Sequence, residues 1–336
     1  MVYQRKLGKS NIKISALGMG CWGIGGPFKS QNGNYLAYGD VKDKESIKTV
    51  HKALNLGINF FDTADVYGCG HSEKILGQAL KDHREEVIIA TKFGNTFNSE
   101  TRTVLGKDFS PEYISKAVNS SLQRLQTDYI DIYQLHDARH DSEGALIIKD
   151  ILEKLVDEGK IHFYGWSTDD AERAKEFAKG EHCVAMQYIM NITRHNTPMA
   201  NLCKETNLAE IIRQPLRSGI LTGKYTKNTK RAPNHFLGKT NFNTDLYAKI
   251  FNSIEQMKDI LKESELTIVQ AALGYIWAKN NGTIPIPGAK TENQITEIAK
   301  ILEYGPISPK VMNDIDSIFK ESQMDFSYEN FSYYKK

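Results

Sequence analysis

Short apolar segments alternate with amphipathic helical stretches along most of this chain, and that alternation restricts the fold more than any other feature. "KISALGMG" opens the series. "DKESIKTVHKALNLG" follows as a helix, with Ile47, Val50 and Leu54 on one face and Gly57 at its C-terminal end. "INFFDTA" is a strand, and "SEKILGQALKD" a helix with Ser72 as its expected N-cap. "EVIIATKFG" is a strand, and "SPEYISKAVNSSLQRL" a helix opened by Ser110 and Pro111. The pattern continues with "YIDIYQLH" and a helix ending near Gly159, then "IHFYGWS" and "DAERAKEFAK". Next come "CVAMQYI" and "PMANLCKET", then "AEIIRQP", a long loop, and helices over about 244–264 and 267–280. "GTIPIPG" and "TENQITEIAKILE" end the series.

Strands apolar on both faces and separated by helices pair in parallel through right-handed crossovers. Eight such units over roughly 300 residues predict an α/β fold, a (β/α)8 TIM barrel, in preference to an open doubly wound sheet. "VYQRKLGKSNIKIS" predicts an N-terminal β-hairpin closing the bottom of the barrel, and the pair at 244–280 supplies an extra helix. The Gly-x-Gly run of "LGMGCWGIGG" is a weak match to a dinucleotide fingerprint, because a long loop follows it where a helix is needed. A single domain over 1–336 is expected, with a core at about 3–302 and a C-terminal helix and tail at 303–336. The tail "MDFSYENFSYYKK" is aromatic and polar, suited either to covering the barrel mouth or to loose packing.

Composition narrows the function classes. A net charge of +2 gives no global signal for nucleic acid or a membrane surface. No apolar run is long enough to span a bilayer, and the N-terminus lacks the apolar core of a signal peptide. Cys21, Cys69, Cys183 and Cys203 lack C-x-x-C spacing, so reduced thiols in a cytoplasmic protein are expected, with no metal site.

In a TIM barrel the functional residues sit at the C-terminal strand ends. Those ends carry Asp62 with Tyr67 just after it, Lys92, His136, Ser167, Gln187 and Arg213. An unpaired Asp, Lys and His at one height would cost several kcal/mol each. Paired, they make a proton-transfer site. Lys92 forms an ion pair with Asp62, its charge favours the phenolate of Tyr67, and His136 orients a substrate oxygen. Hydride chemistry would then need a nicotinamide cofactor. A barrel lyase with Lys92 as a Schiff base is the competing reading of the same residues.

The motifs "NFFDTADVYGCGHSEKILGQAL", "VIIATKFG", "YIDIYQLHD", "GILTGKY" and "GTIPIPGAKTENQ" resemble the aldo/keto reductase superfamily, as does the opening "RKLGKSNIKISALGMGCWGIGG". The resemblance implies NADP(H), a small-molecule carbonyl substrate, and a catalytic tetrad falling on Asp62, Tyr67, Lys92 and His136. It implies that Ser167 and Gln187 hold the nicotinamide carboxamide. Gly288, Ala289, Lys290 and Gln294 would hold the adenosine 2′-phosphate and adenine. Further cofactor contacts are implied at Gly20, Cys21, Trp22, Asp62, Thr168, Arg213, Pro215, Leu216, Gly219 and Lys224. The chain departs from the family pattern at Thr168, at Arg213 (where an aromatic often stacks) and at Ile298. Some members of the family are regulatory channel subunits with little turnover, which is the alternative function. Thr291 and Gln294 also form a Thr-x-x-Gln capping box, which competes for Gln294. The lysine-rich segment 224–243, without an acid, is expected either as a solvated loop or as a flap across the cofactor.

Overall fold

The computed structural model describes residues 3–321. The expected hairpin is present: β1 (Gln4–Lys6) pairs antiparallel with β2 (Lys13–Ser15). Leu7 and Ile14 enter an apolar layer with Phe60, Ala90, Ile132, Val184, Ile211 and Ile284, which plugs the barrel from below. The segment read as one first strand therefore divides. Its first part serves the hairpin, and β3 (Met19–Gly20) alone joins the barrel.

The remaining barrel strands are β4 (Phe60–Asp62), β5 (Ile88–Phe93), β8 (Ile130–Leu135), β9 (Ile161–Ser167), β10 (Cys183–Ile189), β11 (Ala209–Arg213) and β12 (Thr283–Pro285). They form an eight-stranded sheet in chain order, and every pair in it is parallel. The Gly18 and Gly20 amides donate to the Pro285 and Pro287 carbonyls at 2.9 and 3.0 Å, and Gly20 bridges Gly288. These contacts join the sheet's two edges into a barrel. Gly20 is required at this seam, because a Cβ there would lie 2.6 Å from the Ile286 carbonyl oxygen.

The helices are α1 (Asp43–Asn55), α2 (His71–Leu80), α3 (Pro111–Leu125), α4 (Ser142–Asp157), α5 (Ala171–Ala174), α6 (Thr197–Thr206), α7 (Asp245–Ile260), α8 (Ile268–Lys279), α9 (Glu292–Ala299), α10 (Ile301–Tyr304) and α11 (Pro309–Glu321). Their apolar faces cover the outside of the sheet in one continuous core. Ser110 caps α3 through the Tyr113 amide, with Pro111 in the first turn. In α7, Ile250, Ile254 and Met257 are buried, as their spacing predicts.

Three details differ from expectation. Ser72 does not cap α2, whose N-cap is Gly70 in the left-handed region. The Ser72 hydroxyl instead donates to the Cys21 carbonyl at 2.8 Å and meets the Thr63 hydroxyl at 2.9 Å, locking the turn after β4 to β3. The helix expected at "DAERAKEFAK" breaks after Ala174 and resumes as a 3-10 turn at Phe177–Lys179. Between the strand "EVIIATKFG" and the helix opened by Ser110, where the alternation predicts no strand, lies a hairpin of β6 (Asn95–Asn98) and β7 (Thr103–Lys107).

Loops then lace together above the barrel. Lys29 bridges Thr103, and Tyr38 bridges His235. The tail "MDFSYENFSYYKK" lies outside the described residues. Among the described residues no helix is long and apolar enough to cross a membrane. All four cysteines are free thiols and buried.

Candidate active site

The two-residue period of a strand builds the site floor. Phe60, Ala90, Ile132 and Ala185 form part of the apolar plug. Two residues further along the same strands stand Asp62, Lys92, Gln134 and Gln187, all buried. The barrel interior thus changes from an apolar layer to a polar one in a single step. Above that floor opens a cavity of about 1050 Å³, lined by Asp62, Tyr67, His136, Ser167 and Gln187 among others. Its size is at the upper end for small-molecule and cofactor sites.

Lys92 is fully enclosed. Its Nζ donates to Asp62 Oδ1 at 2.5 Å and to the Thr63 carbonyl at 2.6 Å, and stands 3.5 Å from Tyr67 Oη. The other Asp62 oxygen accepts from Gln187 Nε2 at 2.7 Å and Gln134 Nε2 at 3.1 Å. Ser167 Oγ donates to Gln187 Oε1 at 3.2 Å. Each buried charge therefore has a counter-charge and fixed dipoles around it. The His136 ring meets the Tyr67 ring edge-on, with centroids 5.9 Å apart.

A glycine pair sets the height of Tyr67. The 3-10 turn Trp22–Gly25 presses against the turn after β4, and a Cβ on Gly68 would lie 2.0 Å from the Gly25 carbonyl oxygen. Gly68 also has φ +61°, a conformation open to glycine. Trp22 then stacks on Tyr67 at 6.0 Å, while Tyr38 and Phe236 meet Trp22 edge-on at 5.0 and 5.3 Å. One wall of the cavity is accordingly aromatic.

Electrostatics distinguish the titratable groups. Burial acts to lower the Lys92 pKa, but Asp62 and Tyr67 overcome it and the net shift is upward. Lys92 is therefore held as an ammonium, a poor state for Schiff-base attack. Burial pushes the Tyr67 phenol upward; Lys92 pulls it down and Asp62 adds to the rise. The expected net stabilisation of the phenolate is not found, because removing the phenol from water outweighs the nearby charge. His136 is driven well below its usual range by burial and by Lys92, Arg213 and Lys107, so its imidazole is neutral at pH 7.

The residues expected to contact a cofactor fall along one groove of the cavity. Gly20, Cys21 and Trp22 form one lip and Gly288, Ala289, Lys290 and Gln294 the other. Arg213, Pro215, Leu216, Gly219 and Lys224 line the continuation past β11. Arg213 donates to Asp169 at 2.7 Å, which holds its guanidinium at the wall. Thr168 is not brought to the cavity surface. It is fully buried, and its hydroxyl donates to the Ala138 carbonyl at 2.9 Å. The capping box is only half formed. Thr291 caps α9, but Gln294 Oε1 accepts from the Lys290 amide at 2.8 Å and not from the N-cap amide. Lys290 Nζ donates to the Tyr38 and Asp40 carbonyls at 2.9 and 2.8 Å.

Sequence reasoning missed Gln134, Asn95 and Ser218. Gln134 was legible from its place two residues before His136, on the same strand face. Asn95 opens a hairpin that the strand–helix alternation does not predict. Ser218 is buried, lines the cavity, and its Oγ has no hydrogen-bond partner among the described residues. An orphaned hydroxyl beside Gly219 suits an oxygen-rich ligand lying in the groove.

Comparison with known proteins agrees with this geometry. The chain is 32% identical to an NADH-specific methylglyoxal reductase of Escherichia coli over 303 residues, 87% of this chain and 90% of that protein. It is 30% identical to an NADP(+) aldo-keto reductase of Schizosaccharomyces pombe, over 87% of this chain and 84% of that protein. The holo form of an aldo-keto reductase from Bacillus halodurans superposes with a TM-score of 0.75 at 26% identity, covering 95% of this chain and 96% of that one. The aldo/keto reductase family profile matches residues 16–320, so this chain, with its parallel barrel and polar floor, belongs to the aldo/keto reductase family.

Proposed function

We propose that this protein reduces an aldehyde or ketone to an alcohol with NADPH, and that Tyr67 supplies the proton. The observation that carries the reading is the chain Asp62–Lys92–Tyr67, buried at the floor of a large cavity with neutral His136 beside it. When bound, the nicotinamide supplies the hydride that reaches the carbonyl carbon. Tyr67 gives its phenolic hydrogen to the carbonyl oxygen, and Lys92 stabilises the phenolate left behind. Asp62 keeps the ammonium in place. His136 holds the carbonyl oxygen within reach of Tyr67. Gln187, anchored by Asp62 and Ser167, presents a fixed amide edge for the nicotinamide carboxamide. Ser218, Gly219 and Lys224 suit the phosphates, while Arg213 offers a flat face to the ring. The test is loss of absorbance at 340 nm with a panel of simple aldehydes and each reduced nucleotide. Tight nucleotide binding without turnover of any carbonyl would favour the regulatory alternative instead.

The preference for NADPH over NADH is expected to depend on Lys290. A charge-assisted hydrogen bond contributes roughly 1.5–3 kcal/mol, so Lys290→Ala should narrow the ratio of the two dissociation constants by on the order of tenfold. The ammonium must leave the Tyr38 and Asp40 carbonyls to reach a phosphate. An unchanged ratio in the variant would assign the phosphate to another residue.

Segment 224–243 is proposed as a flap over the groove. Lys224, Tyr225, His235 and Phe236 line the cavity. The Phe236 amide bonds the Ala37 carbonyl, and Asn234 bonds Asp40, so the flap rests on the opposite rim. Arg231 is folded inward over Phe242 at 3.7 Å, leaving Lys227 and Lys230 exposed. Tryptic cleavage after Lys227 or Lys230 should slow strongly at saturating NADPH and little with salt alone. Equal rates with and without nucleotide would make the segment an ordinary solvated loop.

A further inference from the structure

The proposed role of His136 needs a hydrogen on the ring nitrogen that faces the substrate. A neutral imidazole has one such hydrogen and two places for it. Something must choose, and the choice is visible in the hairpin that follows β5.

Asn95 begins β6 and lines the cavity. Its Nδ2 lies 3.3 Å from the His136 carbonyl oxygen and 3.4 Å from His136 Nδ1. A carbonyl oxygen only accepts hydrogen bonds, so the Asn95 atom facing it is the amide nitrogen. That same NH2 group faces Nδ1. Since it can only donate, Nδ1 must be the accepting nitrogen, and the ring hydrogen is left on Nε2. The residue is also held in position. The Tyr113 hydroxyl, on α3, donates to the Asn95 carbonyl at 2.8 Å, and Asn95 pairs with Lys107 across the hairpin.

We propose that Asn95 is a positioning residue that fixes His136 as its Nε2–H tautomer and so prepares it to donate to a carbonyl oxygen. The inference rests on the reductase reading for its purpose, though not for its geometry. The surroundings make such control necessary. Around the ring stand Tyr67 after β4, Lys92 on β5, Lys107 on β7 paired with Asp137, and Arg213 on β11 paired with Asp169. Burial, with the positive charges of Lys92, Arg213 and Lys107, disfavours the imidazolium, which would have a hydrogen on both nitrogens. A neutral ring has to be given the right one.

Asn95→Asp tests this with nearly the same shape. A carboxylate cannot donate, so Nδ1 should gain the proton. The first readout is nitrogen NMR of the histidine rings in the protein without nucleotide, with His136 assigned by the signal missing from His136→Gln. The wild type should show Nδ1 unprotonated and Nε2 protonated, and Asn95→Asp should show Nδ1 protonated. An unprotonated Nδ1 in the Asp variant would overturn the proposal, as would a protonated Nδ1 in the wild type. The second readout is the pH profile. In the Asp variant a neutral ring lacks the Nε2 hydrogen, but the new carboxylate also opposes the burial and positive charge that keep the ring neutral, so protonation at the acid end restores that hydrogen. The ratio of variant to wild-type kcat/KM should therefore fall by on the order of tenfold between about pH 6 and about pH 9. A flat ratio would leave Asn95 as a structural residue only. If the NMR pattern changes but neither protein turns over a carbonyl, the tautomer assignment stands and the reductase reading fails.

Discussion

Tyr67→Phe is expected to remove nearly all carbonyl reduction while leaving NADPH binding close to that of the wild type. In the proposed reaction the phenol is the proton donor, and Lys92 Nζ stands 3.5 Å from its oxygen. The phenylalanine ring keeps the stack with Trp22 and the edge contact with His136, so the cavity wall is retained. General acid catalysis typically contributes about 10²–10⁴-fold in rate, and that is the loss to look for in kcat at saturating aldehyde. Nucleotide affinity, measured by fluorescence quenching, separates a chemical defect from a binding one. Turnover above half of wild type would remove Tyr67 from the role of acid. Because burial raises the phenol's pKa, the hydrogen is present throughout the ordinary pH range, and titration of free Tyr67 should not limit the rate near pH 7.

Asp62→Asn should damage both stability and activity. Asp62 accepts hydrogen bonds from Lys92, Gln134 and Gln187. An asparagine turns one accepting oxygen into a donating NH2 that faces other donors, and it leaves the buried Lys92 ammonium without its counter-charge. Breaking a buried pair from one side costs roughly 3–5 kcal/mol. The thermal midpoint should drop by several degrees, and turnover should fall at least as far as in Tyr67→Phe. Lys92→Met instead leaves the Asp62 carboxylate without its counter-charge, but Gln134 and Gln187 still donate to it and a carboxylate can take up a proton. This variant should therefore lose activity with less loss of stability than Asp62→Asn. If the stability order of the two variants is reversed, the ion pair is not organised as described.

The strand–helix alternation was legible because each strand is apolar on both faces and each helix carries a stripe. The gathering of Asp62, Lys92 and His136 at one height was legible because polar residues ended otherwise apolar strands. What escaped reading depends on tertiary contact. Ser72 looked like a cap by position, but the turn delivers its hydroxyl to the carbonyl of another strand. Thr168 adjoins Ser167, yet the strand's two-residue period turns it away from the cavity. The direction of the Tyr67 shift could not be read from a nearby lysine, since it depends on how completely the phenol is withdrawn from water. Asn95 had no local signal at all. Its meaning comes from a histidine on another strand.

The seam between β3 and β12 has a consequence for how the molecule opens. β10 and β11 share a register of five residue pairs, whereas β3, the strand at the seam, pairs with β4 over only two. The seam is joined by the Gly18 and Gly20 amides, which donate to Pro285 and Pro287. Prolines have no amide hydrogen to return, so hydrogen bonds at these two positions run one way only. This short staple lies beneath the two lips of the groove. A nucleotide touching Gly20–Trp22 on one side and Gly288–Lys290 on the other would stitch the ring shut from above. Amide hydrogen exchange at Gly18 and Gly20 then becomes a direct gauge of occupancy. The stability of the seam and the affinity for the nucleotide would then be linked, each rising with the other.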